Sequence, residues 1–205
     1  VFSCRLKGKK STGGKADLLL VKELEPGLWA ALASGFKKGM RLDFPGGLTG
    51  EVQKTNDEGE YEIRFSRNDM KAYLERHGLT PLPPYILKRK GASDATDVER
   101  YQTVYAQTSG SIAAPTAGLH FTPRLLEELK AAGVRIAKVT LHVGRGTFRP
   151  IQTEDARAHK MLAESYRMEA CEAALVRAAL EEGRRVVSVG TTSTRTLETL
   201  ARQGG

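Results

Sequence analysis

The chain has 205 residues, 32 of them basic and 24 acidic, for a formal net charge of +8. That length suits one large or two small domains, and no apolar run is long enough to span a bilayer. Two cysteines, Cys4 and Cys171, lie far apart without metal-type or redox-type spacing, which argues against a structural zinc site and for a reducing, cytoplasmic setting. No signal peptide is visible, and Val1 is not a natural start, so a further N-terminal segment is expected.

The basic surplus favours a polyanionic partner met through phosphate contacts. A soluble surface that is merely basic is the alternative. Clusters at Lys7, Lys9 and Lys10, at Lys37, Lys38 and Arg41, and at Lys88, Arg89 and Lys90 tilt the choice toward nucleic acid. No aromatic-rich sheet face marks an RNA-binding fold.

Residues 1–66 read as short strands broken by glycine-rich turns: 2–6, 16–24, 28–33, 40–44, 50–54 and 60–65. Many short strands at such spacing predict a small β-barrel. Trp29 is read as a core or rim residue rather than a binding platform. Ser66 is expected to cap a helix with Met70, Tyr73 and Leu74 inward and Gly78 at its end. Pro81-Leu82-Pro83-Pro84-Tyr85 follows, stiff and extended, and residues 91–97 form a polar loop.

From residue 98 helices and strands alternate. Helices are expected at 98–106, 123–132 (Leu125, Leu126 and Leu129 inward), 171–182 and 194–202. Strands are expected at 111–114, 134–143, 161–168 and 185–189. Helices between strands imply parallel crossovers. The expected fold is therefore an α/β core with a small all-β barrel domain. Residues 1–78 form the barrel with its trailing helix, 79–97 a proline-rich linker and loop, and 98–205 the core.

Four stretches could carry chemistry. Ser111–Thr122 runs from a small-residue strand through Pro115 and Gly118 to a helix opened by Thr122 and Pro123. Between them lie Thr116, Gly118 and His120, a ligand loop at a strand's carboxyl end or else a tight turn with a satisfied histidine. In Thr140–Phe148, His142 lies opposite the face shared by Val139, Leu141 and Val143. Gly144 and Gly146 flank Arg145, with Thr147 next; glycines let a ligand approach the backbone. The bland reading is a bent strand end with an exposed histidine. In Val187–Thr196 a buried-type strand meets Gly190 and a hydroxyl-rich helix start. There Thr191, Thr192, Ser193 and Arg195 would favour an anion, either phosphate or carboxylate. In His159–Glu164 the carboxylate of Glu164 is a candidate, against the reading of a surface ion pair.

Together the runs 113–122, 139–144 with 146–148, and 189–193 with 195–198, along with Pro81–Ile86 and Glu99–Tyr105 in the same order, resemble the S-adenosylmethionine:tRNA ribosyltransferase-isomerase family of queuosine biosynthesis. At Leu162 that family usually carries a histidine, so His159–Leu162 departs from its pattern. Its members also extend beyond both Val1 and Gly205. The resemblance implies an α/β core with an inserted barrel. It implies transfer of the ribosyl group of S-adenosylmethionine to 7-aminomethyl-7-deazaguanine at the tRNA wobble position. The ribose isomerises to give epoxyqueuosine, and adenine and methionine leave.

On this reading His120 and His142 are the candidates for acid–base work, since imidazole exchanges protons near neutral pH. Thr116, Gly118, Gly144, Arg145, Gly146, Thr147, Glu164, Thr191, Thr192, Ser193 and Arg195 would bind substrate, and Lys88, Arg89 and Lys90 the tRNA. No cofactor or metal is required, because S-adenosylmethionine is consumed. Partners are tRNA carrying the precursor base and S-adenosylmethionine; no membrane is involved, and a monomer is expected. A methyltransferase is disfavoured, since no glycine-rich loop follows a first core strand. The alternative is a tRNA-binding member of the same family without catalysis.

Overall fold

A computed structural model of the chain describes residues 1–91, 93–94, 96–148, 155 and 162–203, without the side chains of 147 and 148. It divides into two compact units, Phe2–Val98 and, with Val1, Glu99–Gly205.

The first unit is a closed antiparallel barrel of six strands, β1 (Arg5–Lys10), β2 (Lys15–Glu25), β3 (Leu28–Leu32), β4 (Arg41–Asp43), β5 (Thr49–Thr55) and β6 (Tyr61–Phe65), in the order β1-β2-β3-β6-β5-β4. Alternation decides which side chains fill it: Ala16, Leu18 and Leu20 on β2, and Ile63 and Phe65 on β6, are all buried. Trp29 lies in the same core at 4% exposure. Closure between β1 and β4 depends on Gly8, because a Cβ there would collide with the Asp43 carbonyl and the Phe44 ring. Burial pushes the Cys4 thiol up to about 12, so it stays protonated and inert.

Helix α1 (Met70–His77) lies on the barrel through Met70, Tyr73 and Leu74, and the Tyr73 hydroxyl donates to the Pro45 carbonyl at 2.6 Å. Ser66 does not cap it. The Ser66 hydroxyl accepts the Thr49 N–H at 3.1 Å, so the barrel takes the group that the helix was expected to use. The proline stretch is not extended throughout. Pro84 stands at the first position of α2 (Pro84–Lys90), where a missing N–H costs nothing.

The second unit holds α4 (Pro123–Ala131), α5 (Ala170–Glu181) and α6 (Gly190–Arg202), and the short α3 (Asp97–Arg100) straddles the division. The Thr122 hydroxyl accepts the Leu125 N–H, the expected N-cap of α4. Leu125 itself faces outward at 37% exposure. The expected helix at 98–106 is one turn long, and α6 begins at Gly190, four residues earlier than its pattern suggested.

Strands are sparse here. β7 (Thr140–Leu141) pairs with β8 (Tyr166–Arg167), and the pairing is antiparallel, not the parallel crossover expected. Residues 185–189 form no strand, and Val187 is 69% exposed. A β-rich sequence makes a strand only where a neighbour accepts its hydrogen bonds. Residues 112–114 are buried, and Ile112 N–H bonds the Val143 carbonyl at 3.1 Å without forming a ladder. Of the expected strand 161–168, Met161 lies outside the described residues.

Candidate functional site

The second unit brings three of the sequence stretches around one cavity of about 220 Å³. Its wall consists of Val143 and Gly146, Leu162 and Glu164, and Thr191, Thr192 and Arg195. Five of these were named from the sequence as substrate-binding: Gly146, Glu164, Thr191, Thr192 and Arg195.

Each segment is held by identifiable bonds. Ser111 staples the second stretch: its hydroxyl donates to the Leu141 carbonyl at 3.3 Å and accepts the Val143 N–H at 2.9 Å. His142 N–H donates to the Ser165 carbonyl at 2.9 Å. Glu164 accepts the Gly144 N–H at 2.8 Å with one oxygen and an Arg195 N–H at 2.5 Å with the other. Arg195 donates a second N–H to the Leu162 carbonyl at 2.5 Å. Among the described residues no N-cap side chain bonds the first turn of α6, whose leading N–H groups have no partner within the helix. Thr196, deep in the helix, is buried and bonds the Thr192 carbonyl.

Other expected residues stand apart from that wall. His142 is half-buried against Gly110, where a Cβ would come 2.7 Å from the imidazole Nδ1. Alternation explains this, since Val143 turns into the cavity and its neighbour turns away. His120 and Thr116 are exposed on the turn Thr116–His120. Gly118 in that turn is buried under the Tyr105 hydroxyl, which occupies the place of a side chain. Burial raises the Tyr105 pKa and keeps the phenol protonated. The turn reaches the site through Ala117, which packs on Gly190 at the start of α6. Gly144 contributes its N–H, Arg145 is buried, and Ser193 is half-buried outside the lining. The Thr147 side chain, His159 and Lys160 lie outside the described residues.

In the first unit, Lys88 and Arg89 are exposed in the last turn of α2. Lys90 is differently placed. It bridges Asp94 at 2.8 Å and the buried Asp97, which also accepts from the Ser93 hydroxyl at 3.0 Å and the Asp94 N–H at 2.8 Å. The Lys90 ammonium holds Asp94 down to about 2. Burial pushes Asp97 up, but its bonds from Lys90, Asp94 and Ser93 outweigh that and lower it.

Ser111, Gly110, Tyr105 and Asp97 escaped the sequence reading. Ser111 and Tyr105 stand inside the stretches already singled out, and Lys90 and Asp94 have the i,i+4 spacing of an ion pair. Nothing local marks Gly110. Among the described residues no three histidine, cysteine or acidic side chains converge as metal ligands, and no helix is long and apolar enough to cross a membrane.

The described residues form an antiparallel barrel and a mostly helical unit with a cavity of mixed polar and apolar lining, and sequence comparison supplies the family. The family described as "Queuosine biosynthesis protein" matches residues 1–204, and the chain belongs to it. Among similar proteins, the S-adenosylmethionine:tRNA ribosyltransferase-isomerase of Citrifermentans bemidjiense is 47% identical over all of this chain and 60% of its own length. The protein of that name from Thermus thermophilus is also 47% identical, over 100% of this chain and 60% of its own. The crystal structure of the S-adenosylmethionine tRNA ribosyltransferase from Thermotoga maritima is 27% identical, covers 98% of this chain and 52% of that one, and gives a TM-score of 0.35. The chain thus spans about 60% of the length of the curated relatives it matches.

Proposed function

We propose that the chain carries out, or forms the substrate-binding part of, the transfer and isomerisation of the S-adenosylmethionine ribosyl group onto 7-aminomethyl-7-deazaguanine in tRNA. The observation that carries this reading is the convergence of Gly146, Glu164, Thr191, Thr192 and Arg195, from three separate stretches, on one cavity. Its roughly 220 Å³ is below the ~300–1,000 Å³ of a pocket for a whole drug-sized ligand, so it would seat one arm of the substrate. The methionine carboxylate suits the first turn of α6, where the leading N–H groups and the Thr191 and Thr192 hydroxyls supply donors.

Chemistry needs a base for the carbon beside the sulfonium and a donor for departing adenine. His142, one residue from the cavity wall, and His120, on the turn beside the start of α6, are the imidazoles for these tasks. Fixed donors must also stabilise developing charge. Lys88 and Arg89 would meet tRNA phosphates. S-adenosylmethionine acts as a substrate, so no cofactor is involved.

Incubation with S-adenosylmethionine and tRNA bearing the precursor base, followed by mass spectrometry of the nucleosides, tests the reading. Adenine release with epoxyqueuosine in the tRNA is expected. A second reading, tRNA binding without turnover, is favoured by apolar Leu162 in the cavity wall. Binding with neither product would establish it.

A further inference from the structure

Arg195 was expected to offer its charge to an anion, and Glu164 to touch substrate. Their geometry assigns both elsewhere. Glu164 is 10% exposed and has both oxygens engaged, one by the Gly144 N–H and one by Arg195. Arg195, 33% exposed, spends one N–H on that carboxylate and another on the Leu162 carbonyl. The pair is neutral as a whole. It joins the bend after His142, the segment before β8, and the second turn of α6. Among the described residues it ties together three backbone segments far apart in sequence at the cavity.

We infer that Glu164 and Arg195 form a latch that positions the cavity wall, with Glu164 a positioning residue acting through the Gly144 backbone rather than a substrate ligand. The kinetic part of this inference rests on the proposed reaction; the structural part does not. A latch moves its partners together. A displacement of about 1 Å at a reacting group costs on the order of 10² in rate. Members of one network also give non-additive losses, whereas independent ligands add.

The test uses the full chain with Glu164→Ala, Arg195→Ala, both together, and Glu164→Gln, which keeps an oxygen for the Gly144 N–H. Residue-resolved hydrogen exchange reads the Gly144 amide without any substrate. Exchange there should be slow in the parent, fast in Glu164→Ala and restored toward slow in Glu164→Gln. In single turnovers Glu164→Ala should lower kcat about 10²-fold with the S-adenosylmethionine KM nearly unchanged, and the double variant should be no worse than the poorer single. Glu164→Gln should recover part of the rate. If an Ala variant fails to fold, Glu164→Gln and Arg195→Lys carry the same exchange comparison. Equal Gly144 exchange in parent and variants overturns the latch, as do additive losses confined to KM. A parent that releases no adenine refutes the proposed reaction instead and leaves the exchange result to decide the latch.

Discussion

In the barrel every strand has a neighbour on both edges, and Leu20, Leu42 and Ile63 are completely covered. In the α/β unit α4 and α5 contain no buried residue, and Val134, Leu180 and Val187 stand exposed. Around its cavity polar bonds join a small buried patch of Ile112, Ala113, Ala114 and Val143: Ser111 across the second stretch, Glu164 and Arg195 across three segments. One region is held by a large apolar core removed from water, the other by a smaller one, Tyr101, Ile112, Ala113, Ala114 and Val143, together with directed contacts. Substitutions should therefore separate cleanly. Barrel changes should alter stability, and cavity-side changes should alter ligand handling and rate.

The largest effect expected belongs to the second region. His142→Ala should lower single-turnover ribosyl transfer by about 10²–10⁴ while leaving tRNA affinity and the melting temperature close to those of the parent. His120→Ala run beside it assigns the base between the two imidazoles. A His142 variant that turns over at the parent rate would make that residue a strand-end fixture only.

Next comes the barrel core. Ile63→Ala removes a fully buried side chain and should cost about 2–5 kcal/mol, read by denaturant unfolding with Trp29 as the reporter. Trp29 is the sole tryptophan, so its fluorescence follows the barrel alone. Leu180→Ala in α5, at a side chain 63% exposed, should stay within about 0.5 kcal/mol. Equal losses at the two positions would break the contrast.

A smaller effect is expected at the α2 basic cluster. Replacing Lys88 and Arg89 together should flatten the salt dependence of tRNA binding by roughly one to two phosphate contacts. Adding Lys90→Ala should change the slope little, because Asp94 and Asp97 already hold that ammonium. Further flattening on its loss would show that Lys90 reaches the tRNA after all.

The smallest effect is one of pH. Asp94 is depressed chiefly by its bond from Lys90, so it favours the folded state above its ordinary value of 3.8. That contribution fades as pH falls toward about 2, and Asp97, also depressed, follows the same sign. Acid titration of stability should therefore be shallower in Lys90→Ala between those limits. An unchanged titration would mean the clasp adds nothing measurable, as exposed pairs often do.

This contrast also sets what could be read from sequence. The six barrel strands were legible because alternation and glycine-rich turns are local signals, and closure follows once the strands are placed. Residues 134–143 and 185–189 looked equally strand-like, yet only Thr140–Leu141 pairs. A strand is completed by a partner backbone, and its own residues do not reveal one. The cavity residues were legible as three motifs, but not their mutual contacts. Glu164 and Arg195 lie thirty-one positions apart, and nothing at either position announces the other. Gly118 was read as part of a ligand loop or a tight turn, and the Tyr105 hydroxyl that lies over it was not foreseen.

Hydrogen exchange of the full chain with and without S-adenosylmethionine tests most directly the claim that the cavity of the α/β unit is the ligand site while the barrel is a self-sufficient core. Added ligand should slow exchange at Gly144 and at the first-turn amides of α6, from Thr191 to Ser193, and leave β2, β3 and β6 as they were. Protection confined to the barrel, or none at a saturating concentration, would contradict it.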